Sequence, residues 1–409
     1  MSGISDGASA WNYRLLAHHQ LYGYGGLGEG IGLQLTADGR RILWLAHESA
    51  PKNFSALDVT DPRSPRLITQ TELPHSQVRS NSLEVHGQVM AVAYQTARPG
   101  LTPAGFELFD ISSPEEPRSI SFYDCSGPHS RGVHQLWFAD GEFVHLAAGA
   151  PDVVPRDQRD DQFYRIIDVR DPSRPREVGR WWLPGTLEGD AADPPTRIRE
   201  PFGTGFRAHN TNVYPQQPDR AYVGYIDGGF VILDISDKAR PKPIVHWNHS
   251  PPFKGFTHTV LPLFDRKLLV VTDESVMDGG EDWPKLVWIF EHGIEDRPIP
   301  IATCPAPPVD VFAKRGGRFG AHNIHENLPG PLSWRSEDLL VGAFFNAGLR
   351  AYDISDPYRP REIAWFVPPA PAGSPAGAIQ INDVFVDERG VTYAVDRFCG
   401  GVYILEAEF

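Results

Sequence analysis

One motif recurs along the whole chain, and it constrains the fold more than any other feature of the sequence. Each copy contains an alternating apolar strand, a turn of the type Asp-Ile-Ser-Asp-Pro and a second strand. Proline fixes φ in this turn, and the Asp and Ser side chains cap it. The clear copies span residues 54–68, 105–120, 163–178, 229–245 and 348–363, and a degenerate copy spans 286–301.

Each copy is preceded by two further strands joined by a tight turn, as in residues 132–149. Four antiparallel strands in roughly 50 residues make one propeller blade. The chain ends at 401–409 on the apolar strand of a seventh copy, and residues 11–21 resemble the last strand of the other units. The sequence therefore predicts an all-β protein, a seven-bladed β-propeller of four-stranded antiparallel blades. Residues 1–409 form a single domain, and the N-terminal strand closes the ring by completing the last blade.

The repeated motif resembles the LVIVD repeat of a family of bacterial β-propeller proteins. The segments that carry the resemblance are LDVTDP, IDVRDP, LDISD and YDISDP. The resemblance covers nearly the whole chain and implies the propeller fold. It implies little about activity, because propellers serve both as enzymes and as binding scaffolds.

Net charge and cysteine content limit the classes of binding partner and indicate the cellular compartment of the protein. The formal net charge is −14, from 52 acidic and 38 basic residues, and such a field repels nucleic acid. The three cysteines show no CxxC spacing, which favours reduced thiols in a cytoplasm. The N-terminus lacks the pattern of an export signal, and the chain has no apolar run of about 18 residues. We expect a soluble cytoplasmic protein without a membrane or nucleic-acid partner.

A GxGxxG match at residues 23–28 is typical of dinucleotide-binding sites only when a helix follows it. The residues that follow have the pattern of a β-hairpin. We interpret the glycines as a loop that crosses the mouth of the propeller.

Histidines recur at one position of the innermost strands when these strands are aligned on the turns that follow them. Because innermost strands start near the axis, side chains at this position converge. The aligned histidines are His134, His209, His258 and His322, and the other three blades offer Gly32, Ser80 and either Asn382 or Asp383. We assign structural roles to His75, His86, His145, His246, His249 and His292.

Four neutral imidazoles form a good site for Fe, Zn, Cu, Ni or Mn, and their chemistry alone leaves the metal open. Small residues opposite, at Gly32 and Ser80, would leave coordination positions for water, dioxygen or substrate. His325 lies three residues after His322 on the other face of an ideal strand. A β-bulge would exchange the roles of these two histidines.

Four histidines on the inner strands of a propeller are similar to the iron site of carotenoid cleavage oxygenases and to the site of selenium-binding proteins. The likeness is architectural and implies only a ligand role for His134, His209, His258 and His322. It favours Fe(II), with Zn, Mn or Cu as alternatives. Carboxylates that could orient the imidazoles are Glu326, Asp227 and Asp383.

Polar loops are expected around the same end of the axis. The connections between second and third strands contain His47, Glu48, Asp227, Asp273, Glu274, Asp396 and Arg397. Arg131, Arg207, Lys254 and Arg318 come just before the aligned position. Arg207, on the same strand face as His209, is the first choice for binding a substrate carboxylate or phenolate.

Three functions follow from these features. The first is a metal-dependent oxygenase that cleaves a small organic substrate oriented by Arg207. The second is a metal-dependent lyase or hydrolase with His325, Glu326 or Asp383 as general base. The third is a binding scaffold without chemistry. Dependence on dioxygen separates the first two, and bound metal separates both from the third.

Overall fold

The computed structural model describes residues 9–197 and 200–409. They form 31 β-strands, two 3-10 turns (Leu21–Gly23 and Gln158–Asp160) and one short α-helix, α1 (Val309–Phe312). The strands build seven antiparallel blades in a propeller arrangement, which confirms the predicted fold. Residues 1–8, the start of the segment in which no export signal is predicted, lie outside the described residues.

The first two strands, β1 (Ser9–Trp11) and β2 (Tyr13–His19), belong to the last two blades. Blades 1 to 4 follow in chain order, each from its innermost strand outwards. Blade 1 contains β3 (Leu27–Leu35), β4 (Arg41–His47), β5 (Lys52–Asp58) and β6 (Arg66–Glu72). Blade 2 contains β7 (Val78–Arg79), β8 (Leu83–His86), β9 (Val89–Thr96), β10 (Gly105–Asp110) and β11 (Arg118–Asp124). A small hairpin, β12 (Ser126–Gly127) and β13 (Ser130–Arg131), leads to blade 3, with β14 (Val133–Trp137), β15 (Phe143–Ala148), β16 (Phe163–Asp168) and β17 (Arg176–Trp181). Blade 4 contains β18 (Thr211–Tyr214), β19 (Gln217–Gly224), β20 (Phe230–Asp234) and β21 (Lys242–Trp247).

Blades 5 to 7 complete the ring. Blade 5 contains β22 (Thr257–Leu263), β23 (Leu268–Asp273), β24 (Val287–Glu291) and β25 (Ile299–Thr303). Blade 6 contains β26 (Leu339–Ala343), β27 (Leu349–Asp353) and β28 (Arg361–Val367), and blade 7 contains β29 (Ile381–Val386), β30 (Val391–Asp396) and β31 (Val402–Ala407). The innermost part of blade 6 is an irregular segment, 322–325. It pairs with β26 because His322 N donates to Ala343 O at 3.0 Å and His325 N donates to Val341 O at 2.8 Å.

The N-terminal strand closes the ring as predicted. β2 pairs antiparallel with β31, so that Tyr13 lies opposite Ala407 and His19 opposite Val402. β1 adds a feature that the repeat pattern did not predict, because it pairs with β28 at the outer edge of blade 6. The N-terminal segment thus contacts two blades.

The apolar core lies between neighbouring blades. Trp44, Phe54 and Phe109 pack together between blades 1 and 2, and Leu43 and Tyr393 pack between blades 1 and 7. Each large side chain buried in this way stabilises the fold by about 1.5–3 kcal/mol. Because the apolar faces are used between blades, the propeller axis is left to polar side chains.

The remaining sequence expectations concern local features. The GxGxxG match at residues 23–28 ends inside β3, which begins at Leu27, so a strand and not a helix follows it, as the hairpin interpretation predicts. The cysteines Cys125, Cys304 and Cys399 are all free. Among the described residues, no helix has the length and apolarity needed to cross a membrane.

Candidate metal centre

The structure brings together the four histidines that the sequence aligns. The ring centroids of His134 and His209 are 4.4 Å apart, those of His209 and His258 are 3.9 Å apart, and those of His258 and His322 are 4.6 Å apart. All four side chains are buried. They form a continuous arc contributed by blades 3 to 6.

Irregular pairing of the innermost strands places these side chains. The register between first and second strands shifts between Val133 and Gln135, and again between Thr257 and Val260. His134 and His258 occupy these shifts. A bulge frees one residue from the ladder and re-aims its side chain. Such a bulge explains how a strand that is otherwise buried on both faces presents a candidate ligand at the propeller axis.

Blade 1 contributes a glutamate, which corrects the sequence alignment. Gly32 pairs with Trp44, and a Cβ at Gly32 would lie 2.7 Å from Val85 Cγ2, so this position faces blade 2. The register shift of blade 1 falls between Leu27 and Ile31 and contains Glu29. The predicted open side of the site, opposite the histidines, is therefore partly filled by a carboxylate.

The Glu29 carboxylate contacts three of the four histidines. Its oxygens lie 3.4 Å from His258 Nε2, 3.7 Å from His322 Nε2 and 4.0 Å from His209 Nε2. Glu29 is absent from the residues predicted from the sequence. The signal that could have revealed it is the Gly-Glu-Gly run at 28–30, an acid between two glycines at the start of an innermost strand.

The two glycines allow the bulge to approach blade 2. A Cβ at Gly28 would lie 2.4 Å from Asn81 O, and one at Gly30 would lie 2.2 Å from Leu83 N. We expect Gly30→Ala to displace Glu29 and to destabilise the fold by about 1–3 kcal/mol, the usual cost of overpacking. Thermal unfolding and metal affinity measure the two effects. Gly293→Ala, where the nearest atom is Glu291 Oε1 at 3.9 Å, is the matched control. Equal stability of the two variants would contradict this role of Gly30.

A second carboxylate comes from the loop that follows β23. Glu274 Oε1 lies 3.5 Å from His322 Nε2, and Glu274 Oε2 lies 3.8 Å from His209 Nε2. Arg318 Nη1 donates to Glu274 Oε1 at 2.7 Å and fixes this side chain. From the sequence, Glu274 is predicted only as a residue of the polar loops, without a ligand role.

Neutral groups, and not carboxylates, engage the outer nitrogens of the histidines. Gln95 Oε1 lies 3.0 Å from His134 Nδ1, and Asn210 Oδ1 lies 2.8 Å from His209 Nδ1. Thr259 Oγ1 lies 2.8 Å from His258 Nδ1, and Asn382 O lies 2.5 Å from His322 Nδ1. At His209 and His322, an amide or carbonyl oxygen accepts from Nδ1–H, which leaves the Nε2 lone pair facing inwards. In addition to Gln95, Arg79 Nη2 lies 3.3 Å from His134 Nδ1, and His134 Nε2 lies 2.8 Å from His209 Nε2.

The carboxylates expected to orient the imidazoles lie elsewhere. Asp227 accepts hydrogen bonds from the backbone of Thr204 and Gly205 and holds a loop. Glu326 and Asp383 line a cavity further along the axis. None of these three contacts an outer nitrogen of the four histidines.

Burial lowers the pKa of three of the four imidazoles, those of His134, His209 and His322, which favours their neutral form. Burial lowers the pKa of His209 to about 4 and that of His322 to about 3. Burial also raises the pKa of Glu274, but His322 and Arg318 outweigh this effect and bring that pKa to about 2. Neutral imidazole and ionised carboxylate are the forms that bind metal ions.

Unpartnered atoms at the centre of the cluster fit a metal ion. His258 Nε2, His322 Nε2 and Glu29 Oε2 are buried without a hydrogen-bond partner among the described residues. Leaving such atoms unsatisfied costs about 1–3 kcal/mol each. The candidate ligand atoms of Glu29, His209 and His258 lie within 4.8 Å of one another, as do those of His258, Glu274 and His322. The nitrogen and oxygen donors without thiolate suit Fe, Mn, Zn or Cu.

His325 lies outside this group. Its Nε2 donates to Trp334 O at 2.7 Å, and its Nδ1 accepts from Val386 N at 3.1 Å. Burial lowers the pKa of His325 to about 4. Because both nitrogens are engaged between blades 6 and 7, His322 supplies the histidine of this blade, and His325 has no lone pair free for a general-base role.

Arginines surround the entrance above the histidines. Arg131 Nη2 donates to Asp161 Oδ1 at 3.0 Å, and Arg207 Nη1 lies 3.6 Å from the same oxygen. Arg207 Nε is buried without a hydrogen-bond partner among the described residues. Glu48 bridges Arg79 and Arg397. A cleft of about 610 Å³ opens beside Arg318 and Arg397.

The other loop residues named from the sequence support loops. Asp396 accepts hydrogen bonds from the backbone of residues 398–400, and Asp273 accepts one from Trp288 Nε1 at 2.8 Å. His47 Nε2 contacts Ser55 Oγ at 2.7 Å. Lys254 Nζ donates to Glu281 O at the exposed rim. These side chains do not reach the four histidines.

Comparisons with known proteins agree with the fold. No curated protein sequence matches the chain at a significant level. A protein from Lactobacillus plantarum has 12% identity and a TM-score of 0.52, and the alignment covers 82% of this chain and 87% of that one. The β-propeller domain of Cps50 (Swd1) from Myceliophteria thermophila has 13% identity and a TM-score of 0.54, with 93% and 97% covered. A chain from an S. cerevisiae structure of Dbp5 bound to Nup159, Gle1, IP6 and ADP has 11% identity and a TM-score of 0.54, with 96% and 94% covered.

One family model matches part of the sequence. Residues 219–246, which cover β20 and most of β19 and β21 in blade 4, match the LVIVD repeat. This match falls on the fourth of the repeats recognised in the sequence. The chain is a seven-bladed β-propeller that carries an LVIVD repeat.

Proposed function

We propose that this protein is a metal-dependent enzyme that acts on a small anionic organic substrate at the propeller axis. The observation that carries the proposal is the convergence of His209, His258 and His322 with Glu29 and Glu274, next to His134, around buried atoms that have no hydrogen-bond partner among the described residues. Burying this many polar groups without a ligand is costly. A binding scaffold has no need of such an arrangement.

The ligands in this proposal are His134, His209, His258 and His322, with Glu29 and Glu274 as further donors. Fe(II) is the favoured ion, and Zn, Mn or Cu are alternatives, because all accept imidazole and carboxylate ligands. When bound, such an ion supplies Lewis acidity and, for iron, a binding position for dioxygen. The chain's own residues neutralise, orient and enclose the substrate.

The arginines at the entrance support an anionic substrate. Although the whole chain carries a charge of −14, the entrance contains Arg79, Arg131, Arg207, Arg318 and Arg397. Arg207 is the first choice for a carboxylate or phenolate. In the described part of the chain its Nε has no hydrogen-bond partner, and its one ion-pair partner, Asp161, is shared with Arg131. An anion bound here gains from both arginines and lies near His134, whose pKa the charge of Arg207 helps to lower.

The two proposed reaction classes, oxidative cleavage and metal-assisted lyase or hydrolase chemistry, differ in their need for a general base. The lyase or hydrolase needs such a base, and Glu326 and Asp383 are the candidates from the sequence. Both carboxyls line the small cavity further along the axis, whose lining among the described residues contains no arginine, so neither lies beside the substrate position proposed at Arg207. This placement favours the oxygenase. Turnover in the absence of dioxygen would instead favour the lyase or hydrolase over the oxygenase.

A cytoplasmic location, where the cysteines stay reduced, is part of the proposal.

Metal content of the protein purified without a histidine tag tests the proposal. We expect close to one transition-metal ion per chain by elemental analysis, with iron in excess over zinc, manganese and copper. Protein produced in iron-supplemented medium and handled without chelators is the right material, because Fe(II) is lost readily. A chain that contains no transition metal and takes up none on addition of Fe(II), Mn(II) or Zn(II) would instead be a scaffold.

A further inference from the structure

Two of the arginines at the entrance are each hydrogen-bonded to a carboxylate of the chain. Arg131 donates to both oxygens of Asp161, through Nε and, at 3.0 Å, through Nη2. Arg318 Nη1 donates to Glu274 Oε1 at 2.7 Å. Hydrogen bonds between a guanidinium group and a carboxylate are among the strong ones in proteins. Arg131 and Arg318 therefore have their partners within the chain.

Glu48 is shared by two further arginines, which come from the blades on either side of its own. Arg79 of blade 2 and Arg397 of blade 7 both donate to Glu48 Oε1, Arg397 from Nη2 at 2.6 Å. Gln95 Oε1 accepts from the other two nitrogens of Arg79, from Nη2 at 2.7 Å and from Nε at 3.1 Å. Asn382 Oδ1 accepts from Arg397 Nη1 at 3.1 Å. Glu48 thus occupies the position at which an anion would contact both arginines.

A close approach of blade 1 to blade 7 brings Glu48 to this position. Glu48 N donates to Gly26 O at 3.2 Å. A Cβ at Gly26 would lie 2.5 Å from Phe398 O, so glycine is needed for this loop to pack against the loop that carries Arg397. Gly26, which lies within the GxGxxG match at 23–28, therefore has a structural role, because it lets Glu48 reach Arg397.

Glu48 also lies between two clefts of the entrance. It lines the cleft of about 610 Å³ beside Arg318 and Arg397, and it lines a second cleft of about 260 Å³ beside Arg79 and Arg131. Glu48 Oε2 is buried without a hydrogen-bond partner among the described residues. The atom that Glu48 leaves over between the clefts is an acceptor, so it repels an anionic group and offers it no donor.

Arg207 differs from the other four arginines. Within residues 9–197 and 200–409 its side chain forms no hydrogen bond, and its Nη1 lies 3.6 Å from Asp161 Oδ1, beyond hydrogen-bond distance. Asp161 is already engaged by Arg131 through both oxygens. The Arg207 side chain is 19% exposed, so a ligand can reach it. A guanidinium group held largely out of water without a hydrogen-bonded carboxylate is suited to bind an anion.

We propose that the substrate carries one anionic group, which Arg207 binds, and that Glu48 excludes substrates that carry a second. This inference rests on the proposed function and narrows its substrate class to monoanions, such as a monocarboxylate or a phenolate. A second anionic group would have to compete with Glu48 for Arg79 and Arg397. It would also place two like charges side by side in a partly buried entrance, and such repulsion is a general means of rejecting a wrong ligand. Glu48 is in this way a specificity-determining residue.

Binding of matched anions to the full chain tests this proposal. Benzoate is the monoanionic probe, and isophthalate and terephthalate add a second carboxylate at two distances from the first. Titrations followed by ligand-observed NMR detect weak binding. We expect the unmodified protein to bind benzoate at least about tenfold more tightly than either dicarboxylate, because of the repulsion by Glu48. In Glu48→Gln, which keeps the shape but removes the charge, the affinity for a dicarboxylate relative to benzoate should rise at least about tenfold.

Two further variants separate this role of Glu48 from a general effect of charge. Glu281→Gln is the matched control, because Glu281 lines the larger cleft at its exposed rim, and it should leave the relative affinities unchanged. Arg207→Gln should weaken benzoate binding at least about tenfold, because it removes the charge-assisted hydrogen bonds to the probe. Circular dichroism verifies that the variants are folded, and the comparison of probes in the unmodified protein needs no variant.

The metal content of the same samples distinguishes failure of this proposal from failure of the proposed function. A chain that holds no transition metal would remove the enzyme, but the relative affinities for the probes could still be measured. The proposal is overturned if the unmodified protein binds no benzoate, or if it binds a dicarboxylate as tightly as benzoate. Unchanged relative affinities in folded Glu48→Gln would overturn it as well.

Discussion

Replacing His258 with alanine is expected to lower transition-metal affinity by at least about a hundredfold while the propeller stays folded. His258 belongs to both groups of converging ligand atoms, the one with Glu29 and His209 and the one with Glu274 and His322. Its loss removes the imidazole nitrogen that lies nearest to the Glu29 carboxylate, His258 Nε2, which is 3.4 Å from Glu29 Oε2. The fold should persist because the apolar clusters lie between blades and the histidines lie at the polar axis.

Metal content and a competition titration against a chromophoric chelator measure this effect, with circular dichroism to verify the β-structure. Alanine at His134, His209 or His322 should act in the same direction. His145→Ala is the matched control, since His145 is equally buried but its Nδ1 pairs with Tyr164 OH at 2.7 Å away from the cluster. His292, which contacts Glu295 O, should likewise be dispensable for metal binding. Full metal occupancy in the cluster variants would remove the basis of the proposed enzyme.

Deleting residues 1–21 is expected to destabilise the whole protein, with a fall in Tm of more than about 10 °C or a loss of soluble protein. The deletion removes β2 and leaves the edge of β31 unpaired along its length. It also removes buried Tyr13 and the stacking of His18 on Tyr403, whose ring centroids are 4.2 Å apart. An unpaired edge strand favours aggregation, and an opened ring weakens the packing between blades 7 and 1.

A shorter deletion, residues 1–12, separates closure of the ring from the contact with blade 6. It removes β1, including Trp11, which packs on Trp365 with ring centroids 4.9 Å apart, but it leaves β2 in place. Its Tm should fall much less than that of the longer deletion. If thermal unfolding of the 1–21 deletion matched that of the full chain, the contribution of β2 to closing the ring would be negligible.

The sequence predicted the elements that depend on local pattern. Alternating apolar residues and Asp-Pro turns specify each strand pair, and the first Asp of the motif acts locally, as when Asp58 accepts from Thr60 N at 3.0 Å. The unpaired last repeat at 401–409 predicted that β2 completes blade 7. The column of histidines could be found because one position recurs in four consecutive blades.

The partners of the histidines could not be predicted in the same way. Glu274 comes from a loop of variable length, so no repeat position marks it. The outer nitrogens contact Gln95 and Asn382 of neighbouring blades, far away in sequence. Such contacts depend on how blades are placed side by side, which a motif within one blade does not encode.

The sequence by itself determined the seven blades, their closure by the N-terminal strand and the common position of His134, His209, His258 and His322. Only the tertiary structure decided that Glu29 and not Gly32 faces them, and that His322 and not His325 joins the cluster. The physical reason is the bulge. Strand alternation predicts side-chain direction only while pairing stays regular, and a register shift, allowed here by the close approach of blade 1 to blade 2, redirects side chains in a way that depends on the neighbouring blade.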